Sequence, residues 1–439
     1  MKLYSTNNHD LNVDFPTAVF NSMPLDKGLY MPVEIPALDQ EFIDNIDKFS
    51  LSQIAYKVAS VLMKDAIPLE DLQAIIDDAI NFEAPVVPLA KNGEAAADLY
   101  VLELFHGPSL AFKDFGARFM SRVMGYFLKD NEKMLDVLVA TSGDTGGAVA
   151  LGFLNVPNTR VTILYPKGKV SEIQELQLCT NGSNIHAIEV DGTFDDCQAL
   201  VKEAFADESL NQRLRLTSAN SINISRLIPQ TFYYFNAYAQ LKRQGKSNVV
   251  FSVPSGNFGN IGAGLLAYRM GLPVKQFIAA TNANDTVPRF LETGVYETRP
   301  SIQTYANAMD VGAPSNWVRI MDLFEGDEQV LKKLVISKGY SDEETLQAIK
   351  DIYQQYNYVA CPHTAIAWLA LKGYQAQHED STGVFLSTAH ACKFPDVFPD
   401  EIRAKIEVPE RVAELAKREK LATTMDASFK SFKQYLDSY

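Results

Sequence analysis

Lys113 lies in His106-Gly107-Pro108-Ser109-Leu110-Ala111-Phe112-Lys113-Asp114-Phe115-Gly116-Ala117-Arg118-Phe119, a segment that is mostly apolar around it. Pro108 and Ser109 are helix-start residues, so the sequence predicts a helix beginning near them. A lysine in the first turn of a helix opposes the macrodipole, and structure alone would not choose it there. Desolvation and positive potential both disfavour the ammonium. They lower the pKa and leave a neutral amine able to form an imine. Taken alone, Lys113 is better explained by a stem lying on apolar surface with its head in water, and the two loops below reverse that reading.

Two further segments share one anatomy. Val137 to Ala140 reads as a buried strand, runs into Thr141-Ser142-Gly143-Asp144-Thr145-Gly146-Gly147, and is followed by an alanine-rich helix. Val249 to Val253 likewise runs into Pro254-Ser255-Gly256-Asn257-Phe258-Gly259-Asn260 and then a helix. Glycines let the backbone turn its N–H groups toward one point, and the helix N-terminus adds positive potential, so each loop can hold an anion. Neither matches the dinucleotide fingerprint GxGxxG or the Gly-Lys-Ser/Thr of a P-loop, which disfavours NAD and ATP. Either loop alone is also explained as a tight β–α turn. Two anion sites in one cleft suit a ligand with two anionic groups, or a cofactor phosphate beside a substrate carboxylate. A reactive lysine beside a phosphate cradle is what pyridoxal phosphate needs.

The elements that must position these residues are legible as alternating patterns. Strands are predicted at 136–140, 160–165, 184–190, 248–253, 276–280 and 383–387, with helices at 194–206, 225–242, 261–270 and 364–376 between them. Such alternation predicts an α/β fold with two largely parallel-sheet domains and a cleft between them. Before it, 51–59 and 69–82 carry helical spacing, so the N-terminal region reads as mostly helical. Pro85, Pro88 and Gly93 mark a boundary. The expected organisation is an N-terminal domain over 1–86, a catalytic region of two α/β subdomains over 87–400, and a helical C-terminal extension over 401–439.

The bulk numbers exclude several classes. A chain of 439 residues is too long for one small core. It has no apolar run long enough for a membrane span and no signal-peptide core at its start. A formal charge of −14 argues against a nucleic-acid partner. Cys179, Cys197, Cys361 and Cys392 lie far apart with no metal-ligand spacing, so no metal is expected and reduced thiols in a cytoplasmic protein are.

Ser109 to Phe115, Ser142-Gly143-Asp144-Thr145-Gly146 and Ser255-Gly256-Asn257-Phe258-Gly259-Asn260 resemble the motifs of the threonine synthase family. That family belongs to the fold type II, tryptophan-synthase-β-like pyridoxal-phosphate enzymes. The resemblance runs in order along nearly the whole chain: 1–6, 28–32, 165–171, 220–223, 280–285, 308–310, 362–365 and 388–390 also match. It implies that Lys113 is the Schiff-base lysine and that Ser255, Gly256, Asn257, Phe258, Gly259 and Asn260 hold the cofactor phosphate. Ser142, Gly143 and Thr145 would hold the substrate carboxylate, and Asp144 would lie near the cofactor's ring hydroxyl. Many relatives have Asn there, but Asp is usual in the branch this chain resembles. Thr388 would meet the pyridine nitrogen. Lys167, Asn223 and Arg226 are candidates for the substrate phosphate, with a solvated turn lysine and a helix-start surface arginine as the alternatives for Lys167 and Arg226. His363 and His390 read as hydrogen-bonded structural histidines. Cys361 and Cys392 depart from the family pattern and read as packing variation.

The implied reaction is the conversion of O-phospho-L-homoserine and water to L-threonine and phosphate, by γ-elimination and β-addition of water, the last step of threonine biosynthesis. Two alternatives share the fold: a phospho-lyase yielding 2-oxobutyrate, and a non-catalytic relative that only binds the cofactor or an amino acid. A monomer or a homodimer is compatible with the sequence.

Overall fold

The computed structural model describes residues 1–91, 94–129 and 133–439. Gly93, expected at a boundary, lies outside them. Two sheets organise the catalytic region. The larger holds β4 (Val86–Lys91), β5 (Glu94–Glu103), β10 (Val249–Pro254), β11 (Gln276–Thr281), β12 (Val335–Gly339) and β13 (Thr382–Ser387), in the order β12-β11-β10-β13-β5-β4. All its pairings are parallel except β4 with β5. The smaller holds β6 (Leu135–Ala140), β7 (Thr159–Pro166), β8 (Ile185–Asp191), β9 (Leu216–Ser218) and β14 (Ala422–Asp426), in the order β14-β8-β7-β6-β9, wholly parallel.

The central strands β6, β10 and β13 are buried at every position and mostly apolar because both their faces are covered. Val250, Ile278 and Phe385 pack with Trp368 of the helix Pro362–Gln375. Their neighbours Phe251 and Phe277 point the other way, toward Tyr234 of the helix Gln230–Arg243. In the smaller sheet, Val137 and Val139 join the core around the helix Lys113–Leu128, while Leu138 and Ala140 face the helices Phe194–Ala206 and Phe429–Asp437. The predicted strands therefore fall within a residue of the observed ones, and the edge strands β4, β9, β12 and β14 were not predicted. The long β5 was missed as well.

Three expectations need correction. The N-terminal region is only partly helical: β1 (Lys2–Ser5), β2 (Asn8–Asp14) and β3 (Tyr30–Pro32) form an antiparallel sheet in the order β2-β1-β3. β2 is almost entirely exposed and polar, so it carries no apolar alternation to read. The helix expected near Pro108 begins at Lys113 instead. Leu110, at φ 60°, turns the chain out of helical geometry. The Phe112 N–H then donates to the Thr388 carbonyl at 2.9 Å and the His390 N–H to the Leu110 carbonyl at 3.0 Å. The C-terminal stretch, expected to be helical, also contains β14, which extends the smaller sheet beside β8.

Candidate active site

The chain segment before Lys113 is clamped between the two sheets. Ala111 bridges Ala389 just after β13, and Ser109 is held from the other side by Gln177 Nε2, which donates to its carbonyl at 2.9 Å. This clamp delivers Lys113 as the first residue of its helix, partly buried. Burial pushes its ammonium down to about 8; Asp144 opposes the shift, while Arg226 and Lys393 add to it. The amine is thus available near neutrality without a separate base.

Asp144 opens the helix Asp144–Phe153 after β6 and is buried. Burial alone would raise its carboxyl. Lys393 and Lys113 outweigh it, and the hydrogen bonds from Lys393 and Gln174 help hold the carboxyl well below the usual carboxylate range. Lys393 Nζ lies 2.7 Å from Asp144 Oδ1, and Gln174 Nε2 donates to the same oxygen at 2.9 Å. The loop before it is shaped by Gly143, at φ 131°, where a Cβ would meet the Gln174 side chain at 2.4 Å. Thr141 Oγ1 accepts from the N–H groups of Gly143 and Gly146. Among the described residues no acceptor meets the N–H groups of Ser142, Asp144 or Thr145, so this helix end can receive an anion.

The second loop follows β10. Ser255 N–H donates to the Ala280 carbonyl at 2.8 Å, and Asn260 Nδ2 to the Pro254 carbonyl at 2.8 Å, which closes the turn on itself. Phe258, in the left-handed region at φ 59°, precedes the helix Gly259–Arg269, and no side chain caps that helix. Among the described residues, none accepts from the N–H groups of Gly256, Asn257, Phe258, Gly259 or Asn260. Five consecutive unpaired donors at a helix N-terminus form a cradle for a phosphate. Behind it Asn257 is fixed through Ser221 Oγ and the Ser315 N–H.

Thr388, just beyond β13, is buried; its carbonyl accepts from Phe112, and its hydroxyl meets no protein acceptor among the described residues. Arg226 is buried with its stem across the first turn of the Lys113 helix, where a Cβ on Gly116 would come 2.6 Å from its Nε. One of its terminal nitrogens donates to the Ala219 carbonyl, and Nε meets no acceptor.

The other two phosphate candidates are placed differently. Asn223 is fully buried and engaged: Nδ2 donates to the carbonyl of Val19 at 2.8 Å, and Oδ1 accepts from both the N–H and the hydroxyl of Ser225. Lys167 is exposed on the turn after β7, 4.0 Å from Glu189. Of the three, the structure brings only Arg226 to Lys113.

His363 and His390 are hydrogen-bonded: each accepts through a ring nitrogen, from the N–H of Ala308 at 3.3 Å and of Cys392 at 3.2 Å. Burial holds both imidazoles neutral, at about 4. Cys392 packs with Leu110 and Val412, and burial raises its thiol to about 11. Sequence reasoning missed Gln174 and Lys393. Lys393 stood in Ala391-Cys392-Lys393-Phe394, as apolar a setting as that of Lys113, and that was the available signal.

A buried amine, a phosphate cradle and an unengaged hydroxyl beyond the strand between them fit pyridoxal phosphate. The family model described as "Pyridoxal-phosphate dependent enzyme" matches residues 80–388, so the chain is a pyridoxal-phosphate-dependent enzyme. Models for the N terminus and the C-terminal part of threonine synthase match residues 2–80 and 364–436. The chain is 43% identical to the threonine synthase of Serratia marcescens, over 99% of both chains. It superposes on the crystal structure of threonine synthase from Escherichia coli with TM-score 0.90 and 42% identity, covering all of both chains. The pyridoxal-phosphate-bound threonine synthase of Brucella melitensis gives TM-score 0.90 at 33% identity, over 100% of this chain and 99% of that one. The chain belongs to the threonine synthase family, a group of lyases that form threonine with pyridoxal phosphate.

Proposed function

We propose that the substrate is O-phospho-L-homoserine, converted with water to L-threonine and phosphate, and that the residues above divide the work as follows. Lys113 Nζ anchors the cofactor covalently and then serves as the base for the proton on the substrate's Cα. When bound, pyridoxal phosphate supplies an electron sink that makes protons at Cα and Cβ removable. The N–H groups of Gly256 to Asn260, with Ser255, hold the cofactor phosphate, and the Thr388 hydroxyl meets the pyridine nitrogen. Asp144 sits beside the ring hydroxyl.

Ser142, Gly143 and Thr145 receive the substrate carboxylate at their helix end. Arg226 binds the leaving phosphate, where its planar guanidinium suits a tetrahedral oxyanion. Lys167, on the turn after the neighbouring strand at the same carboxyl end of the sheet, is the second cation for that group. Asn223 then acts by capping the helix Ile224–Leu227 that carries Arg226. The single observation that supports this reading is the convergence of Lys113, the Asp144 helix end and Arg226 in one buried region.

No helix among the described residues is long and apolar enough to cross a membrane. All four cysteines are buried free thiols, in keeping with residence in the cytoplasm. The partner is the small-molecule substrate, and the chain works as a monomer or a homodimer without nucleic acid. The organisation proposed is a threonine-synthase-like N-terminal domain over 1–86, a catalytic region over 87–400 and a C-terminal extension over 401–439.

The test is a product assay with purified protein, pyridoxal phosphate and O-phospho-L-homoserine. Equal amounts of phosphate and threonine, both abolished by Lys113→Ala, are expected. Phosphate accompanied by 2-oxobutyrate and no threonine would overturn the proposed reaction in favour of a phospho-lyase.

A further inference from the structure

Lys393 has no exposed surface, and its ammonium is shared between Asp144 Oδ1 at 2.7 Å and the Ser109 carbonyl at 2.9 Å. It belongs to the short turn Ala391–Lys393 beyond β13 of the larger sheet, whereas Asp144 follows β6 of the smaller one. The pair therefore joins the two subdomains at the floor of the cleft. A buried ammonium or a buried carboxylate alone is strongly unfavourable, so each demands the other.

We infer that Lys393 is a positioning residue, which neutralises the Asp144 carboxylate that faces Lys113 and so keeps Lys113 an amine able to take up the cofactor's carbonyl. The inference rests on the proposed role of Lys113. The charged and titratable groups around Lys113 are few: Asp144 from the helix after β6, Arg226 from the helix Ile224–Leu227, Lys393 from its turn and His363 from the helix Pro362–Gln375. On its own helix, Asp114 lies next to it and accepts from the Ser109 N–H at 2.9 Å. His363 is neutral, and Arg226 lies close enough to Asp114 to feel its charge. Beside the fixed charge of Arg226, Asp144 and Lys393 are then the ion pair whose balance sets the charge seen by Lys113. Removing the cation would leave a buried carboxylate to hold Lys113 as an ammonium. Removing the carboxylate would leave an uncompensated cation that repels the protonated form. Replacing both, by Asn and Met, restores neutrality and leaves Gln174 an amide oxygen to donate to.

The test follows the rate at which apoprotein captures added pyridoxal phosphate, read from the visible absorption of the Lys113-linked cofactor across a pH series. For Lys393→Met the midpoint of that profile should move up by about one pH unit or more, and for Asp144→Asn it should move down. Asp144→Asn/Lys393→Met should return to within about half a unit of the unsubstituted protein. An unmoved midpoint in Lys393→Met, or a shift of the two single variants in the same direction, overturns the inference.

Should a single variant fold poorly, thermal unfolding of the apoproteins decides. The double variant should melt higher than either single one, and losses that simply add would overturn the pairing. Lys113→Ala is the control for the underlying reading. If it still forms the coloured linkage, the role of Lys113 fails, and this inference fails with it.

Discussion

The backbone of Gly256 lies against that of Met309, so closely that a Cβ on Gly256 would come 2.6 Å from the Met309 Cα. The proposed phosphate cradle is thus backed by main chain, which cannot swing aside as a side chain can. Gly256→Ala should displace the 256–260 N–H groups and weaken pyridoxal phosphate binding by about tenfold or more, at an overpacking cost of about 1–3 kcal/mol. Titration of the apoprotein with cofactor checks this, and unchanged affinity would show that the cradle is not where the phosphate sits.

Met309 is itself held from behind. Asp310 accepts from Asn282 Nδ2 at 2.8 Å, from Thr304 Oγ1 at 2.7 Å and from the Thr304 N–H at 3.0 Å. All these partners are donors, so an amide in place of the carboxylate would turn N–H toward N–H. Asp310→Asn should destabilise the protein by about 1–3 kcal/mol. Because Met309 backs Gly256, cofactor affinity should also fall, which urea unfolding and cofactor titration would measure separately.

Arg226 is proposed to bind the substrate phosphate and not the cofactor. Arg226→Gln should raise the KM for O-phospho-L-homoserine by about tenfold or more, and Arg226→Lys should recover only part of the loss because a point charge replaces a planar fork. At a pH high enough that Lys113 is neutral in every variant, cofactor affinity should stay within about twofold in both, since no substrate is present to lose the contact. A parallel loss of cofactor binding would relocate Arg226 to the cofactor's side of the cleft.

Lys113 also predicts a pH dependence of stability in the apoprotein. Its folded-state value is pushed from the ordinary 10.5 down to about 8. Between these two pH values the unfolded chain binds a proton that the folded chain lacks, so this group makes stability rise with pH across that window. Below it, both states are protonated and the folded state carries a buried ammonium. Lys113→Met should remove that rise and leave the apoprotein more stable at pH 7, as chemical unfolding at a series of pH values would reveal.

What the sequence disclosed follows from how each element is buried. Strands covered on both faces, such as Val137–Ala140 and Val249–Val253, are apolar at every position but Ser252 and read directly. Edge strands are covered less completely: Ala422–Asp426 is mostly exposed, and its five residues have no pattern apart from their partner. Lys113 was legible because a lone cation in an apolar segment is anomalous whatever surrounds it in space. Lys393 was equally anomalous, but its meaning depends on Asp144, which is distant in sequence and which only the closing of two sheets brings near. Asn223 shows the converse: its motif was visible, while its engagement with Val19 of the N-terminal region was not.

The strand β14 has a consequence for how the molecule comes into being. It lies far from β8 in sequence, yet it pairs with β8 and is followed by the helix Phe429–Asp437, which covers Leu138 and Leu164. During synthesis, the smaller sheet must wait with one edge and part of one face bare until residues 422–437 have been made. Chaperone engagement should therefore persist until that segment emerges, and a ribosome stalled shortly before residue 422 would hold a chain whose cleft residues are all made but whose smaller half is still incomplete.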